Sequence, residues 1–318
     1  MSAGRVLANP SDAMNHRYDI AIVGGGPAGL SAAIFSARYL HATVLIDSGD
    51  PRNWETRGIN CFLGLPSIKP AELRALGRDE ARKHGVELVD ACVHRTQKVS
   101  DDQFVLTLQD GSEYDARRVL LAIGLKDVWP DIPGLDRAYG ETAHVCPDCD
   151  GFEARGKKTV VIGKGRKAVG MALNLTTWTR DLIICTNGEP PEMDDPEYCQ
   201  KLDALNIPVL TERVRNVRVK DKRVRCLELE NGMDLDTERI FFAIGQYPAD
   251  DLGAQLGCKR DAGGHIVVDK HYHTSVTNVF AAGDIIPGAQ LAIAAAADGA
   301  IAALSLHKSL VADELKLV

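Results

Sequence analysis

Cys146-Pro147-Asp148-Cys149 is the sharpest chemical signal in the chain. Two sulfurs in C-x-x-C spacing lie one helical turn apart, close enough to form a disulfide in a tight loop. A helix N-terminus at such a turn favours the thiolate form of either cysteine. In a reducing compartment the pair reads as redox chemistry or as part of a metal site. A zinc site would take His144, Cys146 and Cys149 and need a fourth ligand from a distant cysteine such as Cys185 or Cys199. The other six cysteines (Cys61, Cys92, Cys185, Cys199, Cys226, Cys258) show no repeated spacing, and nothing beyond packing is expected of them. Two glycine-rich loops of the dinucleotide-binding kind accompany the pair, so redox is the preferred reading and no metal is expected.

The first loop, Gly24-Gly25-Gly26-Pro27-Ala28-Gly29, is G-x-G-x-x-G between a strand (Tyr18 to Val23) and a helix (Ala28 to about Tyr39). That is the context in which the motif has a mechanism. The first glycine allows the turn, the second lets the backbone approach a pyrophosphate, and the third brings helix against strand. The helix N-terminus stabilises the phosphate charge. Asp47 ends the next strand (Ala42 to Ile46), where an acid accepts hydrogen bonds from a ribose hydroxyl. The second loop, Gly163-Lys164-Gly165-Arg166-Lys167-Ala168, is G-x-G-x-x-A between the strand Lys158 to Ile162 and a helix expected over Val169 to Trp178; Leu182 to Cys185 is the following strand.

The elements around these loops repeat. Alternating β patterns at Val105 to Leu108 and Val119 to Ala122 close on Leu121-Ala-Ile-Gly124. Those at Val217 to Leu229 and Arg239 to Ala243 close on Phe242-Ala-Ile-Gly245. Pro-rich linkers follow each phrase, Val128 to Gly134 and Gln246 to Ala249. The last segment breaks the repeat, with a short strand ending in Gly283-Asp284 and an Ala-rich helix from Gln290 to about Lys308. The chain is therefore expected to return to its first domain. The expected fold class is α/β, with two Rossmann-like, three-layer (ββα) dinucleotide-binding domains, the second inserted into the first. Residues 1–15 are expected to be a flexible extension. Residues 16–125 plus 247–318 form the first domain, and residues 126–246 form the central one, which carries the C-x-x-C pair.

Composition sets the frame. The chain has 318 residues, enough for about two domains. Its net charge of −7 argues against a nucleic-acid partner, which needs a basic face. The longest apolar run, Leu291 to Leu306, is broken by Asp298 and falls short of the roughly 20 residues of a membrane span. The first 15 residues have no basic start followed by an apolar stretch, so a cytoplasmic protein is expected.

In this order and spacing, Gly24-x-Gly26-x-x-Gly29 with Asp47, Ala122-Ile-Gly124, Cys146-Pro-Asp-Cys149-Asp150, Gly163-x-Gly165-x-x-Ala168, Ala243-Ile-Gly245 and Ala281-Ala-Gly-Asp284 resemble the low-molecular-weight thioredoxin reductases. The resemblance runs from about Tyr18 to the end. It implies an FAD-dependent disulfide oxidoreductase. FAD would be held by Gly24, Gly26, Pro27, Ala28, Gly29, Asp47, Asn60, Ala122, Gly124, Gly283, Asp284, Gln290 and Leu291. Gln290 would open a helix facing the flavin, and Arg52-Asn53 lies in the same neighbourhood. Cys149 would be the flavin-facing sulfur, Cys146 the interchange thiol, and Asp150 the acid that exchanges a proton with the leaving thiolate. The family also implies a homodimer, a thioredoxin-like protein or a small thiol/disulfide substrate, and a domain rotation about linkers near Leu125-Lys126 and Gln246-Tyr247.

Two departures matter. Relatives commonly carry Arg-Gln where this chain has Ala289-Gln290, so one cationic contact to the flavin is missing. NADPH-using relatives place an arginine cluster after the second strand of the central domain, where a planar cation grips the 2′-phosphate. Here that place reads Cys185-Thr-Asn-Gly-Glu-Pro190, with neither an arginine nor an acid ending the strand. Gly163, Gly165, Arg166, Lys167, Ala168 and Asn187 remain candidate contacts for a second dinucleotide, NAD(P)H or a second FAD. The preferred reading is a disulfide oxidoreductase that does not use NADPH in the usual way. The alternatives are an O2-dependent dithiol oxidase for small thiols, an ordinary NADPH-dependent thioredoxin reductase, and a non-catalytic flavin redox sensor.

Overall fold

The computed structural model describes residues 16–53, 56–243 and 245–316; the extension expected over residues 1–15 lies outside the described residues. The chain forms two compact units. One takes its described residues from Met1–Arg52, Glu72–Leu125 and Pro248–Val318, the other from Asn53–Ala71 and Lys126–Tyr247.

The first unit opens with β1 (His16–Val23), α1 (Pro27–Arg38) and β2 (Thr43–Asp47), followed by α2 (Pro70–Lys83), β3 (Glu87–Asp90), β4 (Val93–Ser100), β5 (Gln103–Leu108) and β6 (Glu113–Leu121). The chain then builds the second unit: β7 (Leu125–Asp127), β8 (Ala143–His144), α3 (Pro147–Asp150), β9 (Thr159–Ile162), α4 (Gly165–Leu175), β10 (Leu182–Cys185), α5 (Pro196–Ala204), β11 (Val209–Leu210), β12 (Val214–Lys220), β13 (Arg223–Leu229), β14 (Asp234–Asp236), β15 (Arg239–Phe242) and β16 (Gln246–Pro248). It returns to the first unit with α6 (Leu252–Gln255), β17 (Val279–Ala281) and α7 (Ala292–Leu310).

In the first unit the strand order is β3-β2-β1-β6-β5-β4, and β6 has two kinds of neighbour on one edge. Its start pairs antiparallel with β5, and its end pairs parallel with β17. The two-residue alternation of the strands then separates two cores. Ile20, Ile22, Leu45, Leu120 and Phe280 pack against alanines of α1 and α7. Ala21, Val23, Val44, Ile46, Val119 and Leu121 pack against Phe104, Leu106 and Leu108 of β5. A helical layer, a parallel sheet and an antiparallel layer result, as the sequence predicts. The α1–α7 crossing is so close that a Cβ on Gly299 would fall on the Ala28 carbonyl.

The second unit repeats the plan with a parallel sheet β11-β10-β9-β15-β8 and an antiparallel sheet β12-β13-β14. Val161, Ile184 and Phe241 face α4, while Val160, Ile162 and Phe242 face Val217, Val224 and Leu227. The single β stretch expected over Val217 to Leu229 is a hairpin, turned at Asp221 and Lys222, which both have positive φ. α4 starts at Gly165, inside the glycine loop and earlier than expected.

Register brings the chemistry to one edge of each sheet. Val23 is opposite Ile46 and Leu121, and Leu121 is opposite Ala281, so Gly24, Ala122 and Ala282 leave their strands at the same level. In the second unit Ile162 is opposite Cys185 and Phe242, and Phe241 is opposite His144. Carboxyl ends of parallel strands are where open α/β sheets bind ligands.

Candidate active site

β8 carries His144 at its end and delivers Cys146 two residues later. Pro147 suits the first helical position because its missing N–H has no intrahelical partner there. Cys146 is therefore the N-cap of α3, and its sulfur accepts the Cys149 N–H at 3.1 Å. Cys146 and Cys149 are joined as a disulfide, with Cα atoms 5.3 Å apart. Among the described residues no group of three or more His, Cys, Asp or Glu side chains is placed to hold a metal ion.

Asp150, the last residue of α3, is held from both sides. Its Oδ1 accepts the Asn60 side-chain amide at 3.2 Å, and its Oδ2 lies 3.4 Å from His144 Nδ1. Asn60 also reaches the Cys149 carbonyl at 3.5 Å, and Ser67 donates to the Asn60 amide oxygen at 3.2 Å. Asn60, expected beside a flavin, thus stands against the redox turn within the second unit. His144 is only 4% exposed, its ring packs 5.3 Å from that of Phe241, and its Nε2 has no hydrogen-bond partner.

The first glycine loop fits an FAD pyrophosphate. Gly24 has φ +104°, and a Cβ there would fall on the Ala122 carbonyl oxygen, so the turn after β1 requires glycine. The space beside Gly26 is open, with no heavy atom within 4 Å of a Cβ built on it. Gly26 is the N-cap of α1 with no side chain bonded to the helix end, and Pro27 follows, leaving the N-terminal N–H groups for an anion. Ala28 and Gly29 are buried behind them, and Gly283 backs onto Ala28. Gly124 has positive φ, and its carbonyl accepts the Ala249 N–H.

Two arginines were not legible as part of this end. Asp47, 6% exposed, receives the Arg74 guanidinium through Nε at 3.0 Å and through Nη2, with Arg78 Nη1 at 3.5 Å. Its Oδ1 accepts the Gly49 N–H at 3.2 Å. Three of these donors crowd onto Oδ2, while Oδ1 accepts only the Gly49 N–H, so one of its two lone pairs is left for a ribose hydroxyl. The signal was available: Arg74 and Arg78 are four residues apart on one face of α2.

At the other end, Arg52 Nη1 donates to Gln290 Oε1 at 2.8 Å and lies 3.2 Å from Asp284 Oδ2. A cationic side chain from the loop after β2 thus stands beside Gln290. Gln290 does not open α7: Leu291 is its N-cap, so Gln290 stands just before the helix.

The second glycine loop is built differently. The Gly165 N–H, which would face a pyrophosphate, donates to the Pro191 carbonyl at 2.8 Å. Lys164 pairs with Glu192 at 2.7 Å and Glu189 at 3.5 Å, and the Glu192 hydrogen bond raises its ammonium above the usual value. Thr186 Oγ1 donates to the Glu189 carbonyl at 2.6 Å, which fixes the turn that sends Pro190-Pro191 across the loop. The Asn187 side-chain oxygen accepts the Val214 N–H at 2.9 Å. Gly163 packs against Ala243, Ala168 is buried, and Arg166 and Lys167 are exposed.

The sequence profile of the pyridine nucleotide-disulphide oxidoreductases matches residues 18–299. The thioredoxin reductase of Bacillus subtilis (strain 168) is 28% identical over 300 residues, covering 91% of this chain and 94% of its own. Among solved structures, HlmI is similar with a TM-score of 0.87 at 32% identity, over 92% of each chain. The thioredoxin reductase of Streptococcus pyogenes MGAS5005 gives a TM-score of 0.87 at 25% identity, over 93% of this chain and 99% of its own.

Proposed function

We propose that this chain, which belongs to the pyridine nucleotide-disulphide oxidoreductase family, moves electrons between FAD and the Cys146–Cys149 disulfide without a nicotinamide dinucleotide bound at its second glycine loop. It is a thioredoxin reductase-like, FAD-dependent oxidoreductase; the proposal concerns the donor, the acceptor and the residues that carry the chemistry. The observation that supports it most directly is the contrast between the two loops: the first is open beside Gly26, while in the second the Gly165 N–H is already used by Pro191.

FAD, when bound, supplies the two-electron couple that reduces or reoxidises the disulfide. Gly24, Gly26 and the α1 N-terminus would hold its pyrophosphate, Asp47 its ribose, and Asp284, Gln290 and Arg52 the flavin half. On the other side of the reaction, Cys146 as thiolate attacks a substrate disulfide R–S–S–R′, forming Cys146–S–S–R and releasing R′–S⁻. Cys149 then attacks the Cys146 sulfur, releasing R–S⁻ and restoring the Cys146–Cys149 bond. The two thiol protons go to the two leaving thiolates, with Asp150 passing them. The substrate is a thioredoxin-like protein or a small thiol/disulfide compound, and the working form is a cytoplasmic homodimer.

Run in reverse, the same steps oxidise a dithiol. The closed second loop favours that direction as a second reading, with oxygen as terminal acceptor; Asp150 beside Cys149 is the feature shared with the reductases.

Single replacement of Cys146 or Cys149 by serine tests the proposal in purified enzyme with FAD bound. Loss of dithiol-driven flavin reduction in both variants, with FAD retained, is expected. Undiminished reduction in either would overturn it. Oxygen consumption with small dithiols selects the oxidase direction; none selects the reductase.

A further inference from the structure

We propose that His144 holds the exchanged proton of the redox turn, acting through Asp150 rather than on the sulfurs themselves. The inference rests on the reading of Cys146–Cys149 as the reacting pair. Its starting point is a mismatch of proton affinities. In water a carboxylate and a thiol titrate roughly four to five pH units apart, whereas an imidazole and a thiol differ by about two. A carboxylate alone is therefore a poor base toward a cysteine, and proton transfer is most effective between groups of matched affinity.

The geometry supplies the match. His144 Nδ1 is 3.4 Å from Asp150 Oδ2, while Asn60 fixes the other carboxylate oxygen at 3.2 Å. β8 and β15 hold the imidazole rigidly, because His144 is opposite Phe241 in the sheet and packs on its ring. Asp150 is the charged group paired with His144; Phe241 faces it from β15 without charge. Asp148, on the same turn, is taken up by Asn174 of α4 at 3.1 Å. His144 Nε2 is buried and unpartnered. In the tautomer that keeps its ring hydrogen on Nε2, Nδ1 presents a lone pair to Asp150 Oδ2, takes the proton from it and returns it by the same path.

The step balances without any added reactant. A thiol S–H bond of the reduced pair breaks, and the proton passes through Asp150 to the imidazole. The resulting imidazolium is neutralised by the Asp150 carboxylate, and the cysteine thiolate attacks the substrate disulfide. The proton returns through Asp150 to the leaving substrate thiolate. His144 is thus a positioning and proton-holding residue.

The test uses the whole enzyme with its cysteines reduced, and reads the rate of iodoacetamide alkylation of Cys146 and Cys149 against pH by mass spectrometry. This readout does not depend on turnover. In His144→Gln, whose amide can still donate to Asp150, the inflection is expected to move up by about one pH unit or more, an approximately tenfold slower reaction near pH 7. Asp150→Asn is expected to shift the profile similarly, and the double variant no further than the larger single shift. Profiles of His144→Gln and the parent enzyme that superimpose would overturn the proposal, as would additive shifts in the double variant. Should His144→Gln not fold, His144→Asn is read in the same way. These results are independent of the serine variants: a failed His144 test with intact cysteine-dependent flavin reduction leaves the proposed function standing.

Discussion

Arg52 reaches Asp284 and Gln290 from residues 232 and 238 positions away in sequence. No local pattern announces such a contact, so a cation beside Gln290 is not readable from the sequence around Ala289. Cys146, Cys149 and Asp150 stand out in the sequence because they lie within five consecutive positions. Asn60, His144, Arg74 and Arg78 make their contacts with neighbours that only the fold brings in. A hydrogen bond to a charged group contributes roughly 1.5–3 kcal/mol. Arg52→Ala is accordingly expected to weaken FAD binding about tenfold or more, and Arg52→Lys to recover only part, because a lysine lacks the planar fork. Titration of apoprotein with FAD by flavin fluorescence measures this; unchanged affinity in Arg52→Ala would remove Arg52 from the flavin end.

Among the elements, strands and glycine loops were readable from alternation and motif, and most boundaries agree to within one or two residues. The segment after β10 was readable only as an absence. Thr186 and Glu189 turn its Pro190-Pro191 back over Gly165, a path that no residue type in the segment announces. A second element-level contact joins the end of α1 to α7. His41 Nε2 lies 3.0 Å from His307 Nδ1, and His307 stacks on Tyr39 with ring centroids 4.1 Å apart. Burial pushes the His41 imidazole below its ordinary value of 6.5; the Asp19 carboxylate opposes this, and His307 and Arg117 add to it. Since the folded value lies below the unfolded one, its contribution to stability is present above about pH 6.5 and is lost as the pH falls below that. The urea midpoint is expected to drop between pH 7.5 and pH 5.5, and to drop less in His41→Gln. Equal pH dependence in the two proteins would contradict this assignment.

At the scale of the whole molecule, one architecture is used twice with opposite outcomes. Both units place a glycine loop at the carboxyl edge of a parallel sheet, backed by a helix on one face and antiparallel strands on the other. The first keeps its loop open, and the second bonds its loop to its own chain. The repeat and the inserted order are visible in sequence because periodicity and spacing survive divergence. The closure is not, because a carbonyl on an N–H is a property of backbone paths and leaves no residue-type signature. The two loops differ most consequentially in where electrons can enter. Under anaerobic conditions, the FAD-loaded enzyme is mixed in parallel with NADPH and with a small dithiol, and flavin absorbance is followed. The dithiol is expected to bleach the flavin through Cys146–Cys149 while NADPH leaves it oxidised; prompt, stoichiometric bleaching by NADPH would contradict the account.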